Sequence, residues 1–126
     1  MIVGIGTDIV KTERIRKLRP AAVARVLTEA ERAYCARHAD PTERIAGRFA
    51  AKEAVLKAFG TGLAQGISWR HIEILPDSHG APQISFSGKA SSRMRALRAT
   101  HCHVSISHTS DTAVAFVLLE CRENVS

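Results

Sequence analysis

Three features of this 126-residue sequence predict an α+β fold: an alternating segment at the start, a long alanine-rich helical segment in the middle, and two alternating pairs of segments after it. The order strand, helices, hairpin, helix, hairpin argues for an antiparallel sheet packed against a long central helix. The length suits one compact domain over residues 1–126. A chain of this size buries roughly two-thirds of the surface it exposes when unfolded. Hydrophobic residues make up 45% and charged residues 24%, as in an ordinary soluble protein, and aromatics only 5%, so the core should be aliphatic.

Ile2–Val10 alternates as a strand. Val3, Ile5, Thr7 and Ile9 share one face; Gly4, Gly6 and Asp8 share the other. Two glycines beside a carboxylate leave open space where something can approach the backbone closely. Thr12 caps a short basic helix from Glu13 to Arg19, which Pro20 breaks or re-aims. Thr28 and Glu31 have capping-box spacing, which predicts a helix from Glu29 to Arg37. Asp40, Pro41 and Glu43 supply a cap, a first-position proline and a first-turn acid. That helix should run to Phe59 and stop at a left-handed Gly60. Ile72–Leu75 and Gln83–Ser87 flank "PDSHGAP" as a hairpin. Lys89–Ala99 reads as a helix, and His103–Ser107 and Thr112–Glu120 as strands joined through "HTSD".

The net charge of +6 and a pI of about 9.8 favour an anionic partner: nucleic acid, a phosphate ligand, a membrane surface or an acidic protein. Between Lys11 and Arg25 the cations Lys11, Arg14, Arg16, Lys17, Arg19 and Arg25 face a single acid, Glu13. Cys35, Cys102 and Cys121 are odd in number and widely spaced, which argues against a disulfide framework or zinc finger and for reduced thiols in a cytoplasm. The longest apolar run, Ala113–Leu119, is far short of a membrane span. Asp8 interrupts the short apolar start, so no signal peptide is expected.

On a helical wheel of "RFAAKEAVLKAFGTG", Ala50, Ala51, Ala54 and Ala58 form one stripe with Gly47, the residue just before that segment. Phe49 and Leu56 lie roughly opposite, bordered by Arg48 and Lys52 on one edge and Glu53 and Lys57 on the other. Taken alone, Glu53 and Lys57 are a surface pair at i,i+4, worth about 0.2–0.5 kcal/mol. The functional alternative gives Glu53 a share of a hard cation, with Asp8 as the second carboxylate and Gly60-Thr61-Gly62 as a backbone cradle for phosphate. "GIGTD" lacks the third glycine of a dinucleotide fingerprint.

Together, "GIGTDIV", "RFAAKEAVLKAFGTG" and "HVSISHT" resemble the holo-acyl-carrier-protein synthases of the 4′-phosphopantetheinyl transferase superfamily, in order and over nearly the whole chain. The resemblance implies a single domain of that fold. It implies transfer of the 4′-phosphopantetheine arm of coenzyme A to a serine of apo acyl carrier protein, with adenosine 3′,5′-bisphosphate leaving and Mg²⁺ required. It also implies a homotrimer with active sites between subunits. By position, Asp8 and Glu53 match the metal ligands. Arg48, Lys52 and Lys57 match the basic positions around the coenzyme A phosphates and the reacting site. Gly60, Thr61 and Gly62 match the turn beside the nucleotide. His108 matches the histidine near the reacting centre, Thr109 its neighbour, and Arg14 a position that meets the carrier.

This chemistry suits the residues. Attack on a pyrophosphate needs charge neutralised on phosphate oxygens, by the metal and by Lys57. The serine needs a base, and His108, Glu53 and a metal-bound water are the three candidates. His101 and His103 share a strand face that His108 does not, which argues against a three-histidine zinc site. Acyl carrier proteins are acidic, so Arg14 and Lys17, at i,i+3, with Leu18 as an apolar anchor, form the expected docking face. A fatty-acid synthase carrier is the default partner, with polyketide carriers the alternative. The rival reading is a basic nucleic-acid-binding module without catalysis. It is disfavoured by scarce aromatics and a carboxylate pair that would have no purpose there.

Overall fold

The computed structural model describes residues 1–123, so the last three positions of the expected domain lie outside the described residues. Strand β1 (Ile2–Lys11) is followed by helices α1 (Thr12–Arg16), α2 (Pro20–Val26), α3 (Glu29–Ala36) and the long α4 (Thr42–Phe59). A 3-10 turn at Trp69–His71 leads into β2 (Ile72–Pro76) and β3 (Pro82–Phe86), then α5 (Gly88–Ala96), β4 (His101–His108) and β5 (Thr112–Glu120). The class is α+β, as expected. An antiparallel sheet in the order β1-β5-β4 packs against α4, and β2 and β3 form a separate two-stranded hairpin.

Helix α4 is the centre of the molecule and is buried on nearly every side. Ala113, Ala115, Val117 and Leu119 of β5 and Val10 of β1 form the sheet's contribution to the core, with Ala50, Ala54 and Ala58 of α4 against them. The open space beside Gly4 and Gly6 is filled by α4 itself. A methyl group on Gly6 would overlap the Ala54 carbonyl, and one on Gly4 would lie 2.6 Å from the Ala58 oxygen. The helix backbone therefore rests directly on the strand.

That contact decides which side of β1 faces inward. The glycine face is inside, and the apolar face points out: Ile5 is 59% and Ile9 67% exposed, beside exposed Val114 and Phe116 of β5.

Local signals placed most boundaries. The Thr28–Glu31 capping box forms in full, and Gly60 ends α4 at φ +74°. Asp40 accepts a hydrogen bond from the Thr42 amide at 3.0 Å, as expected of the cap, but the helix begins at Thr42, one residue later than expected, with Pro41 just before it. The segment after β1 differs more. Thr12 lies within α1 and spends its hydroxyl on the Ser110 carbonyl at 2.7 Å instead of capping. Helix α1 ends at Arg16, and Pro20 starts a helix of its own, the role a first-turn proline performs well.

Candidate functional site

The seating of α4 on Gly6 brings two carboxylates to one place. Asp8 is two residues beyond Gly6 on the same face of β1, and Glu53 immediately precedes Ala54 on α4. Lys57, one turn after Glu53, bonds Asp8 and not Glu53: its Nζ donates to Asp8 Oδ1 at 2.9 Å and to the Thr7 carbonyl at 3.0 Å. Burial first, and then the negative charge of Asp8, hold the Glu53 carboxyl above its ordinary pKa, while Arg14 and Lys57 pull it down. Asp8, Glu53, Lys57 and Arg14 thus form one electrostatic group.

Two carboxylates from different elements, one of them disfavoured as an anion by the other, fit a hard divalent cation such as Mg²⁺. Its charge would relieve that repulsion. Among the described residues no group of three His, Cys, Asp or Glu side chains could hold a metal. An ion here would draw its remaining ligands from water or substrate oxygens, the pattern Mg²⁺ favours.

A second polar cluster lies beyond the other half of α4. Tyr34, Glu43, Arg44, Arg48, Ile106 and His108 line a cavity of about 190 Å³. Arg44 Nη1 donates to His108 Nε2 at 3.1 Å, which leaves the ring proton on Nδ1, 3.0 Å from Glu43 Oε2. Arg48 is almost wholly buried. Its Nε donates to the Ile74 carbonyl at 3.3 Å, and its guanidinium lies 4.6 Å from the centre of the Tyr34 ring. Arg44 and Glu53 are nine residues apart on α4, about 14 Å along its axis. Within one chain, then, His108 contacts the Arg44 end of the helix and does not join Asp8 and Glu53.

Lys52 corrects the sequence reading most sharply. Expected at the coenzyme A phosphates, it is fully buried and spends its ammonium on Glu31 Oε1 (2.6 Å), the Val26 carbonyl (2.7 Å) and the Trp69 carbonyl (3.2 Å). With no exposure and three partners, it has nothing left for a phosphate. Burial lowers its pKa, and Glu31 opposes the shift.

The Gly60-Thr61-Gly62 turn is exposed and open, with both glycines at positive φ and no atom near their missing side chains. The Gly60 amide, however, is bonded to the Leu56 and Lys57 carbonyls at 3.1 Å, so it caps α4 and is not free for an anion. The Thr61 hydroxyl donates to the Gly62 carbonyl at 3.0 Å. Thr109 is exposed in the β4–β5 turn, where its hydroxyl accepts from the Asp111 and Thr112 amides. Arg14 and Lys17 are exposed on and just after α1, Lys17 3.4 Å from Glu13, with Leu18 half-buried beside them. His101 and His103 stack on one strand face, and His103 pairs with Glu120 at 3.0 Å.

Glu31, Glu43 and Arg44 were not singled out as site residues from the sequence. Arg44 is one helical turn before Arg48, a spacing that puts both on one face. Glu31 was visible only as a cap.

The family model described as the 4′-phosphopantetheinyl transferase superfamily matches residues 4–117. A holo-[acyl-carrier-protein] synthase of Solidesulfovibrio magneticus is 49% identical over 124 residues, covering 95% of this chain and 99% of that protein. Among solved structures, the holo-(acyl-carrier-protein) synthase of Bacillus anthracis in complex with CoA (3′,5′-ADP) superposes with a TM-score of 0.82 at 41% identity, covering 96% of this chain and 98% of that one. The holo-[acyl-carrier-protein] synthase of Neisseria meningitidis gives 0.86 at 38% identity, covering 95% and 99%.

Proposed function

The chain belongs to the 4′-phosphopantetheinyl transferase superfamily, and on that premise we propose that it moves the 4′-phosphopantetheine group of coenzyme A onto a serine of apo acyl carrier protein. Adenosine 3′,5′-bisphosphate is the leaving group, and the reaction depends on Mg²⁺. The observation that carries this reading is the convergence of Asp8, Glu53 and Lys57 where α4 lies on β1.

Asp8 and Glu53 are the residues that would hold the ion, which when bound neutralises charge on the diphosphate of coenzyme A. Lys57, held on Asp8, would offer its ammonium to the negative charge that builds on the phosphate under attack. The carrier serine needs a base, and Glu53, His108 and a metal-bound water are the three candidates. Arg14 stands close enough to act on Glu53, which puts the basic docking face of Arg14, Lys17 and Leu18 next to the acid pair. An acidic carrier held there would present its serine to that pair.

The Arg44–Arg48–His108 cavity suits another part of a polyanionic substrate, but it is remote from Asp8 within one chain. A site shared between copies accounts for this. The outward apolar face of Ile5, Ile9, Val114 and Phe116 is the surface that copies would cover. We therefore extend the proposal to a homotrimer with active sites between subunits, Arg48, His108 and Thr109 serving from a neighbouring copy.

The test is direct. Incubated with coenzyme A, Mg²⁺ and an apo fatty-acid carrier, the protein should add one phosphopantetheine group, read by intact mass. No gain in mass on any of several carriers, polyketide carriers included, overturns the proposal.

A further inference from the structure

We propose that the buried Glu31–Lys52 pair is a positioning device: it fixes the rotation of α4 about its axis, and so the direction in which Glu53 points. The inference rests on the reading that Asp8 and Glu53 share a divalent ion.

Neither side chain of the pair is exposed, and the proposed chemistry uses neither. The anchor is braced on all sides. Glu31 Oε1 accepts from the Thr28 amide at 2.8 Å as well as from Lys52, and Oε2 accepts from the Ile74 amide at 2.9 Å. Thr28 in turn donates to Glu73 Oε2 at 2.6 Å. Lys52 also reaches the end of α2 through Val26 and the 3-10 turn through Trp69. One side chain of α4 is thereby tied to α2, α3, β2 and the Trp69 turn.

The next residue along α4 is Glu53. The glycine contact with β1 sets how close the helix lies; Arg48 on Ile74 and Lys57 on Asp8 limit its roll at other positions, and Lys52 limits it at the residue next to Glu53. A carboxylate carried about 6 Å from a helix axis moves about 2 Å when the helix rolls by about 20°. Metal–ligand distances in a well-made site hold to within about 0.2 Å. A fixed partner on the residue beside the ligand narrows that freedom where it matters most for Glu53.

Stability alone is a poor reason for such a pair. Burying two charges is costly, and apolar residues of similar volume often replace a buried ion pair without loss of stability.

The experiment compares wild type with the double variant E31L/K52M and with E31Q. E31Q keeps the volume but offers an N–H where a carboxylate oxygen accepted one. Folding is followed by circular dichroism and melting temperature. Mn²⁺ binding is measured by titration calorimetry with and without coenzyme A, and KM for the carrier protein is measured separately. The expected result is a folded double variant that binds Mn²⁺ about tenfold or more weakly, the low end of what disturbed support of a metal ligand costs. E31Q should show a smaller loss of the same kind, and KM for the carrier should stay within about twofold in both. A folded double variant with unchanged Mn²⁺ affinity overturns the proposal. So does failure of both variants to fold, which would make the pair a stability element only. If wild type itself binds no Mn²⁺ even with coenzyme A present, the shared-ion reading fails first and the positioning role falls with it.

Discussion

Replacing Gly6 with alanine tests the contact that assembles the site. The new methyl would overlap the Ala54 carbonyl oxygen and lie 2.9 Å from both the Ala54 carbonyl carbon and the Ala58 amide nitrogen. These are backbone atoms of a helix held by Lys52, Arg48 and the alanine stripe, so no flexible side chain can yield. Helix and strand must separate. Overpacking of this kind costs about 1–3 kcal/mol. The loss of unfolded-state entropy in a Gly→Ala change returns less, about 0.4–1 kcal/mol. An overlap this severe belongs at the upper end of that cost, so about 2–2.6 kcal/mol remains after the return, and for a chain of this length the melting temperature should fall by roughly 6–15 °C. It must be compared at fixed protein concentration, because assembly shifts it. Separation also draws Glu53 away from Asp8, so transfer measured by intact mass below the melting range should fall further than the unfolded fraction explains. A G6A protein that melts within a degree of wild type and keeps full activity would refute the argument that this glycine seats α4 and aligns the acid pair.

Other perturbations separate the remaining roles. Arg14→Glu should raise KM for the carrier protein more than KM for coenzyme A in steady-state assays; equal effects would count against carrier docking at α1. Lys52→Ala leaves Glu31 buried without its partner and should cost about 3–5 kcal/mol in denaturant unfolding, far more than the double apolar replacement. A small loss would mean that Glu31 is not carrying an uncompensated charge. Folding raises the pKa of Glu53, so the unfolded chain releases that proton first as pH rises. This group's favourable contribution is therefore present below the ordinary carboxylate range and is lost as pH climbs through its raised folded pKa. Glu53→Gln should accordingly melt at or above the wild-type temperature at pH 7 without divalent ions, while losing transfer activity. A lower melting temperature would contradict the assigned direction.

Short-range signals carried much of the fold. The Thr28–Glu31 spacing, the alternation of β1, β4 and β5, and Gly60 after Phe59 each state a local preference within a few residues, and each was met. Pro20 was ambiguous for the same reason: a proline that ends one helix and a proline that begins another look alike until the chain beyond them packs.

The sequence by itself determined the types of most elements, α2 and the Trp69 turn excepted, together with the glycine face of β1 beside Asp8 and the charged residues spread along α4. It could not decide what each charge does, because that depends on partners distant in sequence. Lys52 became structural because Glu31, Val26 and Trp69 enclose it. Lys57 turned to Asp8 because α4 lies on β1. His108 met Glu43 and Arg44 because β4 runs past the start of the same helix. Helical and strand periodicity are fixed by neighbouring backbone sterics, whereas desolvation and Coulomb energy are set by whichever elements meet in space.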